Sequence, residues 1–299
     1  MLLNSVLKAY GETASAAGGE TDKYLTMLCA DILGRLPKSF DMEEAKNKYP
    51  VEYSESMNTV LVQEMERFNK LYRAISTSLI TMQRAIVGLV AMSPALEDFS
   101  NSLVLGRIPN SWTGVSYPSL KNLPNYVADF VARMEFLHTW FEQGKPKTYW
   151  ISGFFFTQAF LTGVKQNFAR KYTIPIDKLT FDFTILKTES SEISPLDGAY
   201  VYGLFTDGAR WDRRAGKLAE LFPKILQDVM PLIWLIPIKF EDYNPGKRYT
   251  CPVYKTSLRK GTLSTTGHST NYVLPILLDT DMRTSHWIKR SVALLCQLD

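Results

Sequence analysis

Apolar side chains recur at helical spacing along the first half of the chain and at strand spacing along the second. The strongest run comprises Leu61, Met65, Phe68, Tyr72, Ile75, Leu79, Met82, Ile86 and Leu89. Intervals of three and four residues are those of the seam of an amphipathic helix. Ser54 or Ser56 can cap its start, and Ser93-Pro94 can stop it. Over 57–92 such a helix would be roughly 50 Å long, at about 1.5 Å per residue. The charges flanking the seam are few, which favours a core helix over a solvated coiled coil. A shorter helical pattern spans Asp22–Leu36 and stops at Pro37. A third spans Pro124–Gln143, with proline suited to its first turn and Gly144 to its end. Its buried stripe is Val127, Phe130, Met134, Leu137 and Phe141, and His138 beside it reads as a packed, hydrogen-bonded residue.

The period changes after residue 147. Thr148–Ile151 reads as a short strand and Thr157–Tyr172 as a helix. Leu179, Phe181, Phe183 and Ile185 then alternate with Thr180, Asp182 and Thr184, which predicts Phe181, Phe183 and Ile185 inward and Asp182 and Thr184 outward. Further strands are predicted at Ala199–Phe205, Leu232–Phe240, Tyr249–Ser257, Tyr272–Asp279 and Trp287–Leu298, with turns at Asp207-Gly208 and Asn244-Pro245-Gly246. Pro252 and Pro275 point to edge strands or bulges. The expected fold class is α+β: a helical region over 1–146 with a long amphipathic helix, then an incomplete antiparallel β-barrel of about six strands over 147–299, with an embedded helix, the two forming one composite domain. Gly11–Gly19 is the one low-complexity stretch and reads as a flexible loop.

Composition narrows the function classes. The 299 residues are 45% hydrophobic and 21% charged, ordinary for a globular protein and unlike a disordered one. A chain of this length buries roughly 75% of its unfolded surface, so its core needs neither metal nor disulfide. The net charge of +4 permits a basic patch but lacks the clustering of a committed nucleic-acid binder. Three cysteines, Cys29, Cys251 and Cys296, have no C-x-x-C spacing, and an odd count fits a reducing compartment. Cys296, in Ala-Leu-Leu-Cys, reads as a packed thiol. No apolar run approaches the roughly 20 residues of a membrane span. Met1-Leu2-Leu3-Asn4 lacks the pattern of a signal peptide, so the expectation is a soluble intracellular protein with no membrane partner.

Motifs for chemistry are scarce. The Gly-Lys pairs at Gly144, Gly216 and Gly246 are followed by Pro146, Leu218 and Arg248, so none supplies the hydroxyl with which a phosphate-binding loop holds magnesium. Among His138, His268 and His286 no two stand four apart, so a helical metal-binding pair is excluded. Gly267-His268-Ser269 lies within Leu263–Thr270, which reads as a polar loop and not as part of a catalytic triad. No catalytic, cofactor-binding or metal residue is assigned. In Arg210-Trp211-Asp212-Arg213-Arg214, arginines beside an indole could stack on bases. Other readings are a solvated loop paired with Asp207 or Asp212, or a protein interface carried by Arg210, Arg213 and Arg214.

Several blocks carry a resemblance. Trp150–Thr162 (Trp-Ile-Ser-Gly-Phe-Phe-Phe-Thr-Gln-Ala-Phe-Leu-Thr), Tyr200–Phe205 with Asp207–Asp212, Cys251–Lys255 and Val292–Cys296 are similar, in order, to blocks in the C-terminal domains of dynein heavy chains. They cover most of the sequence from residue 118 onward, and the helical first half resembles that family more loosely. Lys171–Asp177 and Leu263–Ser269 resemble the inner-arm axonemal class. The resemblance implies a non-catalytic domain that follows six AAA modules and lies against one face of their ring. It implies an accessory role in ATP-driven, minus-end-directed microtubule motility in the axoneme of cilia or flagella. ATP and Mg would belong to the parent motor and not to this region, and Met1 would lie inside a much larger heavy chain. Two other readings stay open on the residues alone: a stand-alone barrel that binds a small molecule in its mouth, and an oligonucleotide-binding barrel.

Overall fold

The computed structural model describes residues 18–188, 191–259 and 271–298. Residues 11–17 of the predicted glycine-rich loop and the loop at Leu263–Thr270, including Gly267-His268-Ser269, lie outside them. Gly18 and Gly19 belong to a helix and not to that loop. The protein divides into two compact units, Met1–Met42 with Met65–His138, and Glu43–Glu64 with Thr139–Asp299.

The first unit is helical among its described residues. It contains α1 (Gly18–Arg35), most of the long α3 (Ser56–Ile86), α4 (Pro94–Val104), the one-turn α5 (Asn110–Thr113) and most of α6 (Leu123–Gln143); α2 (Met42–Lys48) begins at its margin. The predicted α3 seam is present: Met65, Phe68, Ile75, Leu79 and Met82 are fully buried. Leu71 takes the place expected for Tyr72, since it is three residues from Phe68 and four from Ile75.

The helix ends earlier than predicted. Gly88 has φ +77°, its N–H bonds Ala85 O at 3.0 Å, and Leu89 N–H bonds Arg84 O at 2.8 Å. This pair of bonds is a Schellman stop, which needs a left-handed residue. Leu89 therefore lies past the helix and is exposed. Ser93-Pro94 does not stop α3 but starts α4: Ser93 Oγ accepts from Leu96 N–H, and Pro94 occupies the first turn, where a missing N–H costs nothing. Gly88→Val should lower stability by about 1–2 kcal/mol through left-handed strain, read in a denaturant titration, whereas Gly88→Asn should lose less than half of that.

Helix α6 buries Val127, Phe130, Met134 and Leu137 as predicted, while Phe141 is half-buried and Trp140 is the buried neighbour. Buried Arg133 is held by Asp129, Nε to Oδ2 at 2.7 Å, with its guanidinium 3.9 Å from the Tyr117 ring centroid. Tyr117 donates to the same carboxylate oxygen at 2.8 Å, and burial pushes its hydroxyl pKa well up. His138 packs at 4.3 Å on Phe40, with Nε2 2.8 Å from Lys38 O, as a packed, hydrogen-bonded histidine should.

The second unit holds the strands. A four-stranded sheet has the order β1 (Thr148–Trp150), β3 (Ala199–Tyr202), β8 (Ile233–Lys239), β2 (Leu179–Ile185). A five-stranded sheet has the order β10 (Tyr272–Leu278), β9 (Tyr249–Tyr254), β11 (Ala293–Leu295), β4 (Phe205–Asp207), β7 (Gln227–Val229). A hairpin of β5 (Arg210–Asp212) and β6 (Lys217–Ala219) completes them. Helix α7 (Thr157–Tyr172) follows the predicted bounds, and a short α8 (Thr284–Lys289) precedes β11. Two pairings, β1 with β3 and β11 with β9, are parallel, so the strands are not purely antiparallel as expected. The described strands are eleven in place of about six: one predicted run divides between two sheets, and the three-residue strands β5, β6 and β7 lie outside the predicted ones.

The run Ala199–Phe205 is the clearest case. It breaks at Gly203, φ +93°, into β3 of one sheet and β4 of the other. A β-carbon at Gly203 would stand 2.6 Å from the Trp150 indole nitrogen, so only glycine lets the backbone turn against that ring. The predicted strand Trp287–Leu298 is likewise wrong in its first half. Trp287 lies in α8, which stops at Ser291 with φ +53°, where Val292 N–H bonds Trp287 O and Ser291 N–H bonds Ile288 O. The stop has the geometry usual for glycine but is built on serine, so the sequence hides it. Pro275 sits in edge strand β10 next to a register shift, as expected. Pro252 is in interior strand β9, but outside the Val253–Tyr254 stretch that pairs with β11. In β2, Leu179 and Phe183 are buried and Thr184 is exposed. Phe181 and Ile185, predicted inward, are only half-buried, since β2 ends its sheet.

Candidate interaction site

Arg210, Arg213 and Arg214 fall on the β5–β6 hairpin, and the fold separates their roles. The hairpin pairs Arg210 with Ala219, Trp211 with Leu218 and Asp212 with Lys217. Its turn is organised by Asp212: Oδ1 accepts from Arg214 N–H and Ala215 N–H at 3.0 Å each, and Gly216 N–H bonds Asp212 O at 2.7 Å. An aspartate carboxylate folded back on following amides is a local turn device. The Ala215 amide, with the Arg210 guanidinium and the Arg214 amide, holds the Asp212 carboxyl below its usual range.

Arg210 is drawn inward. Its Nη1 lies 3.2 Å from Asp212 Oδ2, and the guanidinium stacks 4.2 Å from the Phe222 ring centroid. Its Nε is buried and has no hydrogen-bond partner. Arg213 and Arg214 have exposed side chains on the turn. Trp211, considered above as a base-stacking ring, is only 5% exposed and cannot present its face to a nucleotide. Asp207, the other carboxylate considered for these arginines, pairs instead with Arg259.

The hairpin faces the loop before β7, and the two enclose a groove of about 420 Å³ whose lining includes all three arginines, Leu221, Phe222 and Ile225. Phe222 is 56% exposed and Leu226 74%, with Ile225 and Val229 also on the surface. Sequence pattern does not mark this apolar wall. Its one signal is Leu221-Phe222-Pro223, apolar residues beside a proline in a segment with no clean period. The groove lining has no nucleophile paired with a base. No cluster of three or more His, Cys, Asp or Glu side chains suited to a metal occurs among the described residues. Cys29, Cys251 and Cys296 are buried thiols, and burial raises the Cys29 pKa to about 12. The groove lining combines arginine and aspartate side chains with an apolar wall, and the buried Arg210 Nε beside it lacks a hydrogen-bond partner.

Comparison with known proteins agrees with the block resemblance over nearly the whole sequence. Residues 1–296 match the family described as the C-terminal domain of the dynein heavy chain. The protein is 56% identical over 289 residues to human dynein axonemal heavy chain 12, covering 97% of its own length and 9% of that relative. It is 52% identical over 299 residues to human dynein axonemal heavy chain 3, covering 100% of its own length and 7% of that one. Rat dynein axonemal heavy chain 1 is 49% identical over 300 residues, again 7% of its length. The chain therefore spans less than a tenth of these relatives. With an α+β fold, blocks in family order and a match from end to end, it belongs to the family of dynein heavy-chain domains that are C-terminal in their parent motors.

Proposed function

We propose that the protein is an accessory domain of an axonemal dynein heavy chain of the inner-arm class, docked on the AAA+ ring of the same heavy chain. In that position it modulates ATP-driven, minus-end-directed motility on axonemal microtubules of cilia or flagella. The observation that carries this reading is the near-complete match to a segment that is under a tenth of axonemal heavy chains. The exposed arginines and apolar wall support docking, and the two larger sheets, with β2 lying against β10, suit an incomplete barrel. By linkage, a docked body biases ring conformations only by the difference in its contact free energy between them.

Comparing the parent heavy chain with and without this region, by microtubule gliding, load response and ATPase rate, tests the reading. Altered coupling with an intact ring is expected; indifference of all three would refute it. Nucleotide chemistry would reside elsewhere in the heavy chain, because no Gly-Lys pair here continues to Ser or Thr. Calorimetry of the 299-residue protein with Mg-ATP should register no binding, and a micromolar Kd would overturn that assignment.

A further inference from the structure

Two neighbouring grooves of the second unit run along the solvent side of α7 and form one track. The first, of about 630 Å³, lies between the opening turns of α3 and the length of α7, with Thr59 and Val60 on one wall and Ala159 and Thr162 on the other. The second, of about 640 Å³, continues past the end of α7 over Ile174, Pro175 and Ile176. Tyr53, Gln166 and Arg170 line both.

The walls are held in place at three levels. The two helices run antiparallel and meet at Gly163, where a β-carbon would lie 2.8 Å from Met57 Cε and 3.1 Å from Val60 Cγ2. At one end Glu64 accepts the Phe155 and Phe156 amides. At the other, Ser56 N–H donates to Asn167 Oδ1 at 2.8 Å and Ser56 Oγ donates to Gln166 Oε1 at 2.9 Å. Tyr53 is fixed as well: Arg170 Nη1 donates to its carbonyl and to Ser56 Oγ, and the guanidinium lies 4.6 Å from the ring centroid. The Tyr53 residue is nonetheless 79% exposed, and Val51 in the same lining 85%. Among the described residues that line the track only Glu52 and Arg170 are charged, one of each sign. A preformed track with exposed apolar side chains and balanced charge has the character of an interaction surface.

We propose that this track seats an amphipathic helix of about four turns from another part of the same heavy chain, its apolar stripe lying on Tyr53, Ala159 and Ile174. The proposal rests on the docking reading above and adds to it the surface and the class of segment bound. Length sets the number of turns: from Ala159 to the end of α7 the track is about 20 Å long, at about 1.5 Å per residue. Shape selects a helix. A furrow between two antiparallel helices receives a third ridge of side chains. No strand residue stands among the described lining to pair with an extended segment, whereas a helix satisfies its own backbone groups. Charge selects the facing stripe: the balanced pair gives a stripe of either sign no advantage, while apolar side chains gain by covering Tyr53 and Val51. A ring already held by Arg170 loses little freedom on contact, which suits it as an anchor. The source is the same heavy chain because more than nine-tenths of the relatives' length lies outside this region, so a contact within the polypeptide benefits from high effective concentration.

The test uses the full-length heavy chain. A benzophenone amino acid replaces Thr162, an exposed residue of the lining, and a lysine-reactive cross-linker, applied separately, reports docking by any face. Adducts are mapped by mass spectrometry. The expected result is a position-162 adduct to a heavy-chain segment with apolar residues at i, i+3 or i+4, and i+7. Its yield should fall about tenfold in Tyr53→Ala, the change for ~1.4 kcal/mol. It should stay at the parent level in Tyr53→Phe, which keeps the ring, and should not fall with added salt. Lysine cross-links within the domain should be the same in both variants, since Tyr53 is a surface residue whose loss leaves the core intact. An adduct to a segment without that apolar spacing, to a separate polypeptide, or with a yield insensitive to Tyr53→Ala would overturn the proposal. Lysine cross-links from this domain to the remainder of the heavy chain, with position 162 unreactive, would sink the track and leave docking standing. If neither reagent joins the two, both fall.

Discussion

Phe183→Asp should destabilise the second unit by about 4 kcal/mol or more, enough to leave much of it unfolded at ordinary temperature. Phe183 is 8% exposed and stands opposite Leu235, which is fully buried, across the β2–β8 pairing. An aspartate there either carries an unpaired charge in an apolar layer or takes up a proton at a free-energy cost, and it also forfeits the ring's packing. Its neighbour on the other face is the control. Asp182 is half-buried and pairs with Arg248 at 2.7 Å. Both partners retain solvent contact, so Asp182→Ala should cost within about 1 kcal/mol. Thermal melts of the two variants settle the register. A larger loss for Asp182→Ala would mean that β2 is slipped by one residue, because a slip exchanges every inward side chain for an outward one.

Gly203→Ala should cost about 3 kcal/mol or more, combining backbone strain with a clash. The positive φ alone strains an alanine by about 1–2 kcal/mol. The added β-carbon would also lie 2.6 Å from the Trp150 indole nitrogen, so ring or backbone must shift. Ser152 Oγ donates to Gly203 O, which ties down the backbone that would have to move. A double-mutant cycle with Trp150→Phe separates the two costs. The smaller ring should relieve the clash and leave the strain, so the double variant should lose less than the sum of the singles. Strict additivity in denaturant titrations would mean that the indole does not constrain this turn. A Gly203→Ala loss under about 1 kcal/mol, the least that left-handed strain should cost, would mean that the turn relaxes freely.

These positions also mark where local reading succeeds and where it stops. Helices α3, α6 and α7 are legible because their apolar residues recur at helical spacing over several turns. Stops are legible only where glycine or proline has one use. Pro94 has two, ending one helix or opening the next, and the α8 stop at Ser291 carries no glycine. At the candidate site, Arg210, Arg213 and Arg214 are visible as a charge run. Their division into one inward and two outward side chains depends on Asp212 folding back on the turn and on Phe222, from the loop beyond β6, meeting Arg210.

By itself, then, the sequence determined the order of helical and strand halves, the long buried seam, the lack of a phosphate-binding loop and, through its blocks, the family. Those features reside in local period or in contiguous residue identity. Only the tertiary structure decided which strands share a sheet, because pairing joins segments distant in sequence and apolar strands carry little information about their partners. It also decided the role of Glu64. This fully buried carboxylate accepts the amide hydrogens of Phe155 and Phe156, some ninety residues away, at the start of α7. In the sequence it is one more acidic residue on a long helix. A helix N-terminus needs acceptors for its first amides, and any nearby element can supply them, so the identity of the supplier is a property of packing and not of local sequence.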